Sequence, residues 1–140
     1  MSDPGGTDPE ETATGGYATA LEEAIGLRRL ADSGDAAELR FDPTPITRGN
    51  DEEPVWLHGG ALAVCVESAS WEAIVRLAAG EWVAVDLRVD FLRPAREAPH
   101  RVRATARRIG RRLAVADVEI TPWDEPDRPV ALGRAVYART

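Results

Sequence analysis

The sequence predicts a two-layer α+β domain, a five-stranded antiparallel sheet wrapped around one long central helix. Three observations point there. From Ala61 to Trp71 the only charged residue is Glu67, and a helix apolar on most sides belongs inside a core. Everything after Glu81 has strand character, in four runs joined by short connections, which makes neighbouring strands antiparallel. A weaker strand precedes the helix, so a single sheet has enough width to curl around it.

The chain has 140 residues, one ordinary domain's worth, with 44% hydrophobic and 29% charged residues. No apolar run is long enough for a membrane span, and the N-terminus has neither the basic nor the apolar region of a secretory signal. Cys65 is the only cysteine, which excludes an internal disulfide and a cysteine-based zinc site. These features predict a cytoplasmic protein that does not bind a membrane. The net charge is −7, a poor match for nucleic acid. The charge is uneven: residues 1–56 carry 13 acids and 4 bases, whereas residues 57–140 carry 11 acids and 13 bases. All 17 bases are arginine, and several gather late, at Arg93, Arg96, Arg111 and Arg112 among others. Such clusters are either solvated turns or a place for an anionic ligand.

Residues 1–16, made of Gly, Pro, Thr and acids, predict a disordered acidic tail ahead of a single domain over 17–140. Tyr17 to Ala31 predicts a helix stopped by Ser33-Gly34, and Glu38 to Thr47 an edge strand demoted by Pro43 and Pro45. Arg48 to Pro54 is an acidic loop. Gly59-Gly60 opens the long helix, which runs to near Gly80. Trp82 to Leu92 alternates, with Val83, Val85, Leu87, Val89 and Phe91 on one face. Strands follow over Arg101–Ile109, Leu113–Thr121 and Val130–Arg139, with a tight turn at Gly110-Arg111-Arg112. The regular Trp82–Leu92 strand is the edge expected to pair with a second chain.

No nucleophile elbow, phosphate loop or dinucleotide fingerprint is present, and His58 and His100 do not make a metal pattern. What remains is His58-Gly59-Gly60 followed by Glu67. Glycines at a helix start allow close approach to free N–H groups that suit a developing oxyanion; the plainer reading is a loop-to-helix turn. A carboxylate in an apolar helix is a base, a nucleophile, or the partner of an Arg. Gly59 and Glu67 are eight residues apart, about 12 Å along a helix axis. One carbonyl cannot meet both within one chain, so a shared site would lie between two subunits.

Leu57-His58-Gly59-Gly60, the acid nine residues after the His, VDLRVDFLRPA and RRIGRRLAVADVEI together resemble the hotdog-fold acyl-CoA thioesterases of the phenylacetate-pathway (PaaI-type) group, over residues 38–139. The resemblance implies a hotdog fold, homodimers formed through the strand after the helix and often paired into homotetramers, and no metal or cofactor. It implies an oxyanion contact at Gly59, a catalytic acid at Glu67 acting from the neighbouring subunit, a loop- and thioester-ordering role for His58, and CoA phosphates at Arg93, Arg96, Arg111 and Arg112. Two positions depart from the group's pattern. Its usual Asn or Gln before the His is Glu52 here, with Asn50 a substitute only on a re-registered loop. Its usual Ser or Thr one turn after the acid is Trp71, beside Ser70 and Ser68, and Trp71 either narrows the acyl pocket or belongs to the core. The expected activity is hydrolysis of an acyl-CoA thioester to free acid and CoA; the alternatives are an acyl-carrier-protein thioesterase and a non-catalytic acyl-CoA-binding protein.

Overall fold

The structure, a computed structural model, describes residues 19–30 and 34–140, so the acidic segment 1–16 lies outside the described residues. Thr19 starts helix α1 (Ala20–Ile25) by accepting a hydrogen bond from the Glu22 backbone N–H at 3.1 Å. Gly26 ends it in the left-handed conformation, φ 86°, with its N–H on the carbonyls of Glu22 and Glu23. No other residue fits, because a Cβ there would sit 1.9 Å from the Asp42 carbonyl oxygen. The chain then becomes strand β1 (Leu27–Arg29), with Leu27 and Arg29 buried and Arg28 half-buried. Of the single helix expected over Tyr17–Ala31, the described residues 19–30 form a short helix, a glycine stop and a strand, while its two ends and the expected stop at Ser33 lie outside the described residues.

Among the described residues that strand raises the sheet from the expected five strands to six. Strand β2 (Ala36–Phe41) pairs with β1, Leu27 opposite Phe41, and on its other side with β4 (His100–Ile109). It is therefore not an edge. Pro43 and Pro45 fall after it has ended, Pro45 opening a short 3-10 turn. The sheet continues through β5 (Leu113–Pro122) and β6 (Ala131–Arg139) to β3 (Trp82–Phe91), in the order β1-β2-β4-β5-β6-β3. All pairs are antiparallel.

Helix α2 (Gly59–Val75) crosses the concave face of this sheet. Its Leu62, Cys65, Val66, Ala69, Ala73 and Ile74 pack on Leu39, Phe41, Val102, Ala104, Ala116 and Ile120. Burying a side chain such as Leu39 or Ile74 contributes about 1.5–3 kcal/mol. The helix stops short of Gly80 because the next turn gives its carbonyls to side chains: Trp82 Nε1 donates to Ala78 O and Arg139 Nη1 to Ala79 O, each at 3.0 Å. Among the described residues no helix is long and apolar enough to cross a membrane.

Among the described residues strand β3 is a free edge, hydrogen-bonded to β6 alone. Its five apolar residues do not share one face. A bulge between Ala84 and Asp86 leaves Val83 opposite Ala138 on the outer face, while Leu87, Val89 and Phe91 oppose Ala135, Gly133 and Ala131 on the helix side. Val85, Leu87 and Phe91 are nonetheless exposed, at 57%, 41% and 57%.

Candidate active site

His58 is the N-cap of α2. Its Nδ1 accepts from the Gly60 N–H at 2.9 Å, so in the neutral ring the proton sits on Nε2. The Ala61 N–H is taken by the His58 carbonyl. The Gly59 N–H has no acceptor among the described residues. It is thus an open donor at the positive end of a 17-residue helix. Phe91 of β3 lies directly on Gly59: a Cβ there would be 3.0 Å from the ring's Cζ. The His58 loop is fixed from both sides, with the His58 N–H on Thr47 O and the Leu57 N–H on Ala95 O, each at 2.8 Å.

Asn50 is fully occupied in building this loop. Its Nδ2 donates to the carbonyls of Glu52 (2.6 Å) and Pro54 (3.0 Å), and its Oδ1 accepts from the Trp56 N–H (2.7 Å).

Glu67 lies two turns further along α2, half-buried, on the wall of a cavity of about 740 Å3. Leu21 of α1, Ala63, Val64 and Trp71 of α2 and Leu87 of β3 make this cavity largely apolar. Trp71 is 39% exposed, on the cavity side rather than in the core. Ser68 also lines the cavity, whereas Ser70 is fully buried, its hydroxyl without a partner among the described residues.

Two features of this region were not anticipated from sequence. Tyr137 of β6 places its hydroxyl 3.0 Å from Glu67 Oε1 and 2.8 Å from the Glu67 carbonyl oxygen. The ring is fully buried, and burial, with the Glu67 charge beside it, drives its phenol pKa upward, so it keeps its proton and donates. The only available signal was its position, the one polar tip on an inward row otherwise made of Ala131, Gly133 and Ala135. Second, Arg29 joins the cavity's two walls. Its Nε donates to Glu72 of α2 at 2.7 Å, and its Nη1 stands 3.0 Å from Glu22 Oε1 of α1 in an ion pair short of hydrogen-bond geometry. Glu22 is hidden in the sequence as an ordinary first-turn acid of a helix.

The arginines fall at two places. Arg93 and Arg96 flank the His58 loop: Arg96 pairs with Trp56 and lies over its ring at 5.2 Å, and Arg93 Nη1 donates to Pro129 O at 2.7 Å. Both line a depression of about 460 Å3. Arg111 and Arg112 sit on the β4–β5 hairpin, exposed and without carboxylate partners among the described residues. The Arg112 carbonyl accepts from the Arg139 N–H, next to the C-terminal end of α2.

An antiparallel sheet folded around one apolar helix, with an open N–H at the helix start and a carboxylate within its span, defines a hotdog protein. The comparisons agree. The profile of the thioesterase superfamily matches residues 56–131, more than half of the chain. The medium/long-chain acyl-CoA thioesterase YigI of Escherichia coli (strain K12) is 30% identical, the alignment covering 86% of each chain. A mutant of the phenylacetic acid degradation protein PaaI from Thermus thermophilus superimposes with a TM-score of 0.72 at 26% identity, over 87% of this chain and 100% of that one. The E. coli PaaI protein does so at 0.73 and 23%, over 88% and 86%, which speaks for the fold. The chain belongs to the thioesterase superfamily.

Proposed function

We propose that this protein hydrolyses an acyl-CoA thioester to the free acid and CoA, in the cytoplasm, as a homodimer with two sites shared between subunits. The observation that carries the reading is the open Gly59 N–H at the start of α2, the place where a thioester carbonyl would develop its negative charge. The 30% identity to a protein named acyl-CoA thioesterase supports the substrate class.

Gly59 and Glu67 lie on one continuous helix, so they stand about 12 Å apart along its axis. The acid that serves a carbonyl on Gly59 is therefore the partner subunit's Glu67. The free edge of β3 and the exposed Val85, Leu87 and Phe91 beside it supply a surface for that pairing. With Glu67 as base, a water proton passes to its carboxylate as the water oxygen bonds to the carbonyl carbon. The oxyanion rests on the Gly59 N–H, the C–S bond then breaks, and the CoA thiolate recovers the proton. With Glu67 as nucleophile, its oxygen bonds to the same carbon, CoA leaves, and water cleaves the resulting anhydride. His58 holds the Gly60 N–H and leaves Gly59 open. Asn50 acts through the loop that it braces.

The apolar cavity beside Glu67 takes the acyl group, with Trp71 on its wall. Arg93 and Arg96 lie beside the oxyanion end of α2, and an antiparallel partner brings Arg111 and Arg112 of its own hairpin toward that end, as CoA phosphates require. The test is thiol release from short-, medium- and long-chain acyl-CoAs. Wild type releases CoA, and Glu67→Gln lowers kcat by about 10²–10⁴-fold while remaining folded. A folded wild type that cleaves none of them overturns the reading.

A further inference from the structure

We infer that Tyr137 is a positioning residue for Glu67, fixing which carboxylate oxygen reacts. The inference rests on the proposed role of Glu67 and adds a residue of another element to it.

A glutamate on a helix face has three side-chain torsions, and the last is soft, so its two oxygens exchange places unless something tells them apart. Here the difference is built into the sheet. The Tyr137 hydroxyl lies at ordinary hydrogen-bond distance from Oε1, 3.0 Å, and from the carbonyl oxygen of the same residue, 2.8 Å. One phenolic proton is thus shared between the backbone and the side chain of Glu67. Oε2 has no partner among the described residues. Since Glu67 lines the apolar cavity, Oε2 is the oxygen left to meet a water or a carbonyl carbon there.

The donor is itself immobile. Tyr137 is 1% exposed, at the end of the inward row of β6 that also carries Ala131, Gly133 and Ala135. It holds its proton throughout, because burial and the neighbouring carboxylate both oppose ionisation. Since the hydroxyl spans the helix backbone and the carboxylate together, a shift of α2 over the sheet moves both acceptors at once. The carboxylate therefore stays in register with β6. A carboxylate accepting such a bond in a half-buried place is held more firmly than one accepting from a neutral donor in water. Losing the hydroxyl frees the carboxylate to rotate, and this slows the chemical step more than it weakens substrate binding.

The experiment compares wild type, Tyr137→Phe, Glu67→Gln and the double variant by steady-state acyl-CoA hydrolysis, with thermal unfolding of each. The expected result is a fall in kcat of about ten- to hundredfold for Tyr137→Phe, with KM little changed. In the Glu67→Gln background the same substitution has no further effect, because the two residues act as one unit. An unchanged kcat in Tyr137→Phe, or an equal loss in both backgrounds, overturns the inference. Glu67→Gln at wild-type activity would instead overturn the role of Glu67 itself, whatever Tyr137→Phe does. Should Tyr137→Phe fail to fold, fluorotyrosine in a Tyr17→Phe protein alters the donor without altering its shape, since the chain has only 2 tyrosines. A kcat shifted by about twofold or more, with KM constant, supports the inference, and an unmoved kcat overturns it.

Discussion

Gly133 of β6 lies directly beneath Val66 of α2: a Cβ at Gly133 would come within 2.5 Å of Val66 Cγ1 and 2.7 Å of Cγ2. The helix thus needs an empty position in the sheet at this contact. The contact is also one residue from Glu67 on the helix and four from Tyr137 on the strand, so the spacing that Gly133 permits lets the phenol reach the carboxylate.

Gly133→Ala is therefore expected to destabilise the fold by about 1–3 kcal/mol, because Val66 or the whole helix must lift from a packed surface. Urea unfolding at one fixed protein concentration measures it, since a dimer's stability depends on concentration. A stability equal to wild type would mean that Val66 simply rotates away.

Complementation between dead variants tests the shared site. Gly59→Pro removes the open N–H yet suits the first position of a helix, and His58 already has the extended backbone that a following proline needs, φ −68° and ψ 134°. Alone, Gly59→Pro and Glu67→Gln are each expected to be nearly inactive. Mixed and allowed to exchange subunits, they form heterodimers with one doubly defective site and one intact site, so a substantial fraction of activity returns. No recovery after exchange proven by mass spectrometry would place both residues' work within one chain.

The arginine pairs separate binding from chemistry. Arg111→Ala with Arg112→Ala is expected to raise KM for acyl-CoA several-fold with kcat nearly constant, and added salt should shrink the difference from wild type, as it does for exposed charges. Arg93→Ala with Arg96→Ala should raise KM as well and also lower stability, because Arg96 stacks on Trp56 and Arg93 holds the Pro129 carbonyl. Unchanged KM in both double variants would remove these arginines from phosphate binding.

His100 supplies a pH-dependent element of stability. It is buried at the start of β4, where its Nδ1 meets the Ala98 carbonyl at 2.7 Å, and burial holds its pKa below the ordinary 6.5. The unfolded chain then binds the proton more readily than the folded one. Stability from the neutral ring is complete above about pH 6.5 and falls as the pH drops below that value toward the folded pKa. Tm is expected to decline on acidification through this window, and less so in His100→Phe. Equal declines in the two proteins would assign the acid sensitivity to other groups.

The sequence by itself determined the parts whose cause is local. An eleven-residue stretch with a single charge reads as a buried helix, the His-Gly-Gly start as its N-terminus, and four strand-like runs with short connections as antiparallel strands. The candidate acid was visible for the same reason, as a carboxylate where the local pattern has no use for one. Only the tertiary structure decided the rest. Leu27 to Arg29 continues a helical pattern until Asp42 crowds Gly26 and Phe41 offers a strand to pair with. The β3 alternation gives no sign of the bulge near Val85, which depends on register against β6. Tyr137 looks like any core aromatic until the sheet curls far enough for its hydroxyl to meet a residue 70 positions away. Periodicity reports what each segment buries, but which polar atoms then meet depends on how closely a helix and a sheet can approach, and that distance is set by packing between residues far apart in the chain.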